Sequence, residues 1–362
     1  ARHGRVLVLR DPQGIAPGQA VVPPELVPIV GLFDGRLTLA EIADAASREL
    51  GSRVPVELVR TLVAELDEAL LLQSPRFERA RADAVSTFRQ APVRTAAHAG
   101  GAYHGDPVAL QAYLETECLA PARRTRAPRA AGSEGPRRTK GRGGRRAVGL
   151  IAPHIDPWRG ARCYGHAYEA LARALPPEAD TFVLLGTSHA PMREPFALCR
   201  KAFHTPLGTL PADTEAIDAL AKAASFDPFA DEMNHKREHS LEFQAVFLAH
   251  LLGARGAASS RRGNPRIVPI LAGLGRHQAC GDDPARDGNV AAFVEGLRAL
   301  AAERPGRVVL VAGADLAHVG PRFGDAAPYD DAQRRALEAR DRASLACAEE
   351  RNQTAFWAHV AA

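Results

Sequence analysis

No run of about 18 apolar residues, the length a membrane-spanning helix needs, occurs in this 362-residue sequence. No charged-then-apolar signal segment opens it either. The first residue is Ala1 rather than Met, so the natural start is expected upstream. Cysteine is sparse: Cys118, Cys163, Cys199, Cys280 and Cys347 are odd in number and widely spaced, with no Cys-x-x-Cys among them. That pattern argues against both a disulfide framework and a zinc ribbon, and a reducing cytoplasm is the expected compartment. Internal repeats are also lacking, which excludes a repeat array.

What is present fits a globular protein. Apolar residues make up 46% of the chain, enough for a sizeable core, and the length suits two domains or one large domain with additions. The net charge of +4 is unevenly spread. Residues 121–146 (PARRTRAPRAAGSEGPRRTKGRGGRR) carry ten Arg or Lys and one Glu, or +9, which leaves −5 on the rest. A basic excess confined to one Gly/Pro/Arg-rich stretch reads as a solvated, disordered insertion. Its alternative role is nonspecific attraction for nucleic acid or other polyanions.

The first 80 or so residues read as a separate, mainly helical module. Val6–Leu9 is a strand candidate, and Pro24–Phe33 a short helix. Thr38-Leu39-Ala40-Glu41 forms a capping box opening a helix with Leu39, Ile42, Ala43, Ala46 and Leu50 on one face. After Pro55, a first helical residue, Leu58, Leu62, Val63, Leu66 and Leu70 form another stripe, and Leu70–Leu72 is expected to continue as a short strand. This order resembles a winged helix, and more particularly the peptide-binding modules related to the PqqD family. The second long helix sets Glu57, Glu65, Asp67 and Glu68 against Arg60, so protein docking is favoured over DNA reading. A charged connector follows, taken as residues 81–96. From Ala147 onward strands and helices alternate. Strands are expected at Ala147–Ala152, Thr181–Leu185, Arg266–Leu271 and Val308–Ala312, and helices at Ala161–Ala174, Asp213–Ala224, His239–Leu252, Asn289–Ala302 and Asp331–Glu349. The expected fold class is α/β, with a largely parallel, helix-covered sheet.

Three segments place a histidine just after an apolar run: Ala152-Pro153-His154, Leu185-Gly186-Thr187-Ser188-His189 and Gly313-Ala314-Asp315-Leu316-Ala317-His318. In such a sheet these positions fall at strand carboxyl ends, where α/β folds build their sites. Converging imidazoles suit a metal or a proton-transfer centre. A buried histidine bonded to backbone is the structural alternative for His154, and a solvated loop histidine for His189. The turn before His189 is expected to bring backbone amides near a bound anion. Asp315 and His318 read either as an acid/base pair or as a helix cap with an incidental histidine. Glu238-His239-Ser240-Leu241-Glu242 reads equally as a helix start and as a source of site residues, with Glu242 as proton acceptor or substitute ligand. Cys163, Trp158 and Arg159 follow His154 closely. They read as a packing or redox thiol and two residues of a pocket mouth.

Six motifs in order make the region from about Ala97 onward resemble the Memo family, nearest to protein B of the bacterial AmmeMemoRadiSam system. They are His98-Ala99-Gly100-x-x-Tyr103, Ala152-Pro153-His154, Leu185-Gly186-Thr187-Ser188-His189, Thr205-Pro206-Leu207, Glu238-His239-Ser240-Leu241-Glu242 and Asp315-x-x-His318-x-Gly320-x-Arg322-Phe323. The resemblance implies a fold similar to class III extradiol dioxygenases, with His154 and His189 as metal ligands. It also implies that Asp315 and His318 form the acid/base element, and Glu242 and His239 are catalytic candidates beside them. A third ligand, a cysteine, is expected beyond Ala362, since Cys347 aligns inside the preceding helix.

The implied cofactor is Fe(II), with Cu or Zn as alternatives, and the implied substrate a small aromatic or enolic molecule. The implied partners are a radical SAM enzyme and an AMMECR1-type protein. The competing function is a nonenzymatic metal-binding adaptor that docks a partner through its first module. The domain expectation is 1–80, a connector at 81–96, and 97–362.

Overall fold

The computed structural model describes residues 6–125, 146–256, 264–274, 277 and 280–361. The chain divides into two compact units, Ala1–Ala91 and Pro92–Ala362.

In the first unit β1 (Leu7–Arg10) pairs antiparallel with β2 (Gln19–Val22). A short helix α1 (Val27–Val30), α2 (Leu39–Leu50) and α3 (Val56–Glu68) follow. The Thr38–Glu41 capping box is present at the start of α2, and Gly51 closes the helix with φ +64°. Ile29, Ile42, Ala43, Ala46, Val54 and Val59 form this unit's core. Two expectations fail here. Leu70–Leu72 is not a strand: Leu70 adopts φ +59°, and Leu71 donates back to the Leu66 carbonyl, so the chain reverses after α3. The residues taken as a connector begin inside α4 (Pro75–Gln90), which Ser74 caps through the Phe77 amide. The unit's two strands therefore precede its helices, without a wing after them.

The second unit opens with β3 (Val93–Arg94), followed by α5 (Pro107–Tyr113), a π-helical turn at Leu114–Leu119 and α6 (Ala120–Arg124). Part of the stretch expected to be disordered is thus helical, and Arg123 there bridges the carboxylates of Glu115 and Glu169. Residues 126–145 of that expectation lie outside the described residues.

The main sheet comprises β4 (Gly149–Ala152), β5 (Thr181–Thr187), β6 (Phe196–Leu198), β9 (Arg266–Ala272) and β10 (Val308–Gly313), in the order β4-β10-β5-β9-β6. The first four strands in that order run parallel, and β6 is antiparallel to β9. A smaller sheet joins β3, β7 (Ala202–Thr205) and β8 (Gly208–Leu210). Thr205-Pro206-Leu207 is its hairpin turn, closed by the Thr205 hydroxyl on the Gly208 carbonyl, with Gly208 at φ +125°. That motif is accounted for by backbone geometry.

Helices α7 (Pro157–Ala174), α8 (Thr214–Ala223), α9 (His239–Gly256) and α10 (Gly288–Glu303) cover the sheet. Two more, α11 (Asp331–Glu349) and α12 (Gln353–Ala361), end the described chain. Side chains alternate between faces along a strand. Val183 packs with Ile217, Leu220 and Phe293 of α8 and α10, whereas Gly186 faces Ser240 and Leu241 of α9. The odd and even positions of β5 thus assign α8 and α10 to one face and α9 to the other.

Two glycines let α9 come close. A Cβ on Gly186 would lie 2.5 Å from Ser240 Oγ, and one on Gly313 would lie 2.5 Å from the Ser240 carbonyl oxygen. The first turn of α9 is therefore seated directly against the ends of β5 and β10. Among the described residues no helix is long and apolar enough to cross a membrane.

Candidate metal centre

Strand order decides what meets here. Because β10 lies between β4 and β5, the loops leaving the carboxyl ends of these three strands are neighbours. They carry His154, Asp315 and His189, and the glycine contacts bring His239 of α9 to the same point. Among the described residues, His154, His189 and His239 each offer a ligand atom within 4.8 Å of the other two. Their rings lie 5.2 Å (His154–His189), 5.5 Å (His154–His239) and 4.4 Å (His189–His239) apart, centroid to centroid.

Two of the rings are held from behind by hydrogen bonds, and the third lies beside a carboxylate. His154 Nδ1 lies 3.0 Å from the Gly313 carbonyl oxygen, so that nitrogen carries the proton. His189 Nδ1 sits 3.0 and 3.1 Å from the two oxygens of Glu238, and the His189 amide donates to the same carboxylate. His239 Nδ1 lies 3.3 Å from Glu238 Oε1. A proton fixed on Nδ1 leaves the lone pair on Nε2, the arrangement metal-binding histidines adopt. Burial is the largest influence on His239 and pushes its pKa down to about 4, with His189, His154 and His98 adding in the same direction and Glu238 opposing. This imidazole is therefore neutral at pH 7, as a ligand must be. Glu238 is held down to about 2: burial would raise it, and the His189 bond and the Ser240 amide outweigh that. The donor set thus fits a divalent ion that accepts imidazole, with an anion behind it.

Asp315 stands at the edge of the trio. Its Oδ1 accepts the amides of His154 (2.6 Å) and Ile155 (3.1 Å), and its Oδ2 lies 3.2 Å from His318 Nε2 and 3.7 Å from His154 Nε2. His318 is half exposed and rests against Phe323. The pair read from sequence is thus assembled, with Asp315 linking His154 to a solvent-facing histidine.

Glu242 is not available as acceptor or ligand. It is 1% exposed, and its oxygens take the Arg94 guanidinium, the Tyr103 hydroxyl, the amides of Ala97 and His98, and His98 Nδ1. These donors hold its carboxyl well below the usual range against the upward push of burial. Gly100, at φ +83°, makes the turn that aims Tyr103 at it. Glu242 therefore ties residues 94–103 onto α9 and places His98 5.7 Å from His239.

Other expectations also change. His239, read from sequence as a catalytic candidate, stands with His154 and His189 as a third imidazole that could hold a metal. The amides near His189 face no anion site: Ser188 N–H donates to the Ala272 carbonyl and His189 N–H to Glu238. Arg159 pairs with its own helix cap, Asp156, at 2.7 Å, and Trp158 donates to the Gly101 carbonyl. Sequence reasoning missed Arg94 and the orienting role of Glu238. Only Glu238's place beside a site histidine hinted at either.

Residues 94–362 match the family model described as Memo-like protein. The chain belongs to the Memo family. That family has the extradiol dioxygenase-like fold, in agreement with the mostly parallel sheet. A MEMO1 family protein of Aquifex aeolicus is 27% identical over 332 residues, covering 92% of this chain and 77% of the relative. One from Thermus thermophilus is 30% identical over 294 residues, covering 81% and 74%. One from Methanosarcina acetivorans is 31% identical over 175 residues, covering 48% and 55%. The Memo match begins at Arg94, the residue that neutralises Glu242.

Proposed function

We propose that this Memo-family chain is a mononuclear, non-haem metal protein that holds Fe(II) on His154, His189 and His239, with Cu and Zn as the competing ions. The observation that carries the reading is the convergence of three imidazoles, with His154 and His189 fixed through Nδ1. Imidazole suits Fe, Cu and Zn alike, and a three-histidine set leaves coordination positions for small molecules. When bound, the ion would supply Lewis-acid or redox chemistry to a small aromatic or enolic substrate. Asp315 would hold His318 through Nε2, and His318 would hold and move the substrate's proton at Nδ1. All five cysteines are free thiols, which suits the reducing cytoplasm where Fe(II) persists. The first unit is proposed to dock a protein partner, a radical SAM enzyme or an AMMECR1-type protein.

Elemental analysis of anaerobically purified protein tests the centre. About one equivalent of iron is expected in the parent, and little in His154→Ala, His189→Ala or His239→Ala. Copper or zinc in its place reassigns the ion, and a metal-free parent refutes the centre. Catechol consumption with dioxygen then separates an enzyme from a metal-holding adaptor. Pull-down with residues 1–91 tests docking.

A further inference from the structure

We infer that Glu238 is the positioning residue of the centre, a single carboxylate that fixes the His189 ring through Nδ1 and ties the His189 loop to the first turn of α9, which carries His239. The inference rests on the proposed metal reading but reaches a residue that reading leaves unused. Three donors converge on this buried side chain, and a fourth nitrogen lies beside it. His189 gives Nδ1 and its backbone amide, the Ser240 amide lies 2.9 Å from Oε1, and His239 Nδ1 lies 3.3 Å from the same oxygen. The side chain is 4% exposed.

The convergence has a chemical requirement. An ionised carboxylate accepts on both oxygens and donates on neither. Only such a group can accept from the His189 loop and from the first turn of α9 together. The His189 imidazole then carries its proton on Nδ1 and presents Nε2 on the opposite side. The rings of His189 and His239 are stacked 4.4 Å apart at 27°, so a rotation of one about its Cβ–Cγ bond displaces the other. One anion therefore fixes the His189 tautomer directly and the His239 ring through that stack and the Ser240 amide. Because its oxygens are already occupied by these donors, Glu238 acts behind the ligands and not as a ligand.

Glu238→Gln is the test. It preserves size but offers one acceptor oxygen and one NH2, which must face at least one existing donor. Long-range proton–nitrogen NMR of the metal-free protein, with the ring assigned from His189→Gln, should show Nδ1–H on His189 in the parent. The other tautomer, or a mixture, is expected on His189 in Glu238→Gln. Zn2+ affinity, measured by competition with a chelating dye, should fall roughly 10–100-fold. Glu238→Asp, which restores two acceptors on a shorter stem, should recover the parent tautomer.

An unchanged His189 tautomer and unchanged Zn2+ affinity in a folded Glu238→Gln protein would overturn the inference. So would lost affinity with the His189 tautomer intact, since that pattern belongs to a ligand. A parent that binds no Zn2+ yet shows Nδ1–H on His189, lost in Glu238→Gln, refutes the metal reading while upholding the positioning role.

Discussion

Replacing Gly313 with alanine should damage metal binding far more than it damages the fold. The added methyl would lie 2.5 Å from the Ser240 carbonyl oxygen and 2.9 Å from Gln244 Nε2, whereas ordinary contact begins at 3.4 Å. Relief therefore requires the first turn of α9 to retreat from β10 by about 0.9 Å. The Ser240 carbonyl is backbone, so no side-chain rotation can absorb the clash. His239 travels with that turn, and the Gly313 carbonyl that holds His154 Nδ1 is itself at the point of strain. Metal–ligand distances tolerate only about 0.2 Å, so the displacement exceeds the tolerance several-fold. Overpacking of this kind costs roughly 1–3 kcal/mol, or about 2–4 °C of melting temperature per kcal/mol in a domain of this size.

The expected result is Zn2+ affinity weakened at least about tenfold in a protein that still unfolds cooperatively. Gly253, on the same helix with nothing within 4 Å of its virtual Cβ, is the control. Gly253→Ala should stabilise by about 0.5–1 kcal/mol and leave Zn2+ affinity unchanged. Titration calorimetry and differential scanning calorimetry read both quantities. Parent-like Zn2+ affinity and a melting temperature within about a degree of the parent in Gly313→Ala would refute the claim that α9 is seated on that glycine.

Three further outcomes follow from the same contacts. Arg94→Met leaves the Glu242 carboxylate buried without its guanidinium, and the denaturant midpoint should fall by the equivalent of about 3–5 kcal/mol; a loss below about 1 kcal/mol would show that the pair is not what fastens residues 94–103. Tyr103→Phe removes one donor to the same anion and should cost about 1.5–3 kcal/mol, read by the same titration. Metal-free protein should lose stability in acid. His239 and His235 are held down to about 4 and about 3, chiefly by burial, so the unfolded chain binds those protons more tightly and stability rises with pH up to about 6.5. Glu238, held down to about 2, contributes fully above its ordinary value of 4.5 and is lost below it. A denaturant midpoint that does not change between about pH 7.5 and about pH 5 would contradict this account.

The parallel strands were legible because a strand buried on both faces needs a continuous apolar run. Thr181–Leu185 and Val308–Ala312 were expected within two residues of their observed ends. His154 and His189 were legible for the same reason, since each follows such a run. His239 was harder: acids and histidines open many helices, and nothing local says that Gly186 and Gly313 draw this helix start onto the strand ends. Arg94 looks like a surface charge in one dimension, and Glu242 like a helix-start acid or a site acceptor. Their pairing spans 148 positions and exists only once β3 and α9 are both in place. Leu70 misled in the opposite direction, because an apolar triplet suggests a strand until a left-handed residue reverses the chain.

The Arg94–Glu242 pair also dictates where the polypeptide can be cut. The recognisable motifs start at His98, and a fragment begun at residue 97 would look complete, with every imidazole of the centre retained. It would nevertheless lack the guanidinium that neutralises Glu242, so that anion would be left sealed in the interior beneath His98 and His239. Failure of such a fragment to hold metal would then report on its starting residue and not on the chemistry of its histidines. A faithful dissection begins no later than Pro92, where the second compact unit starts.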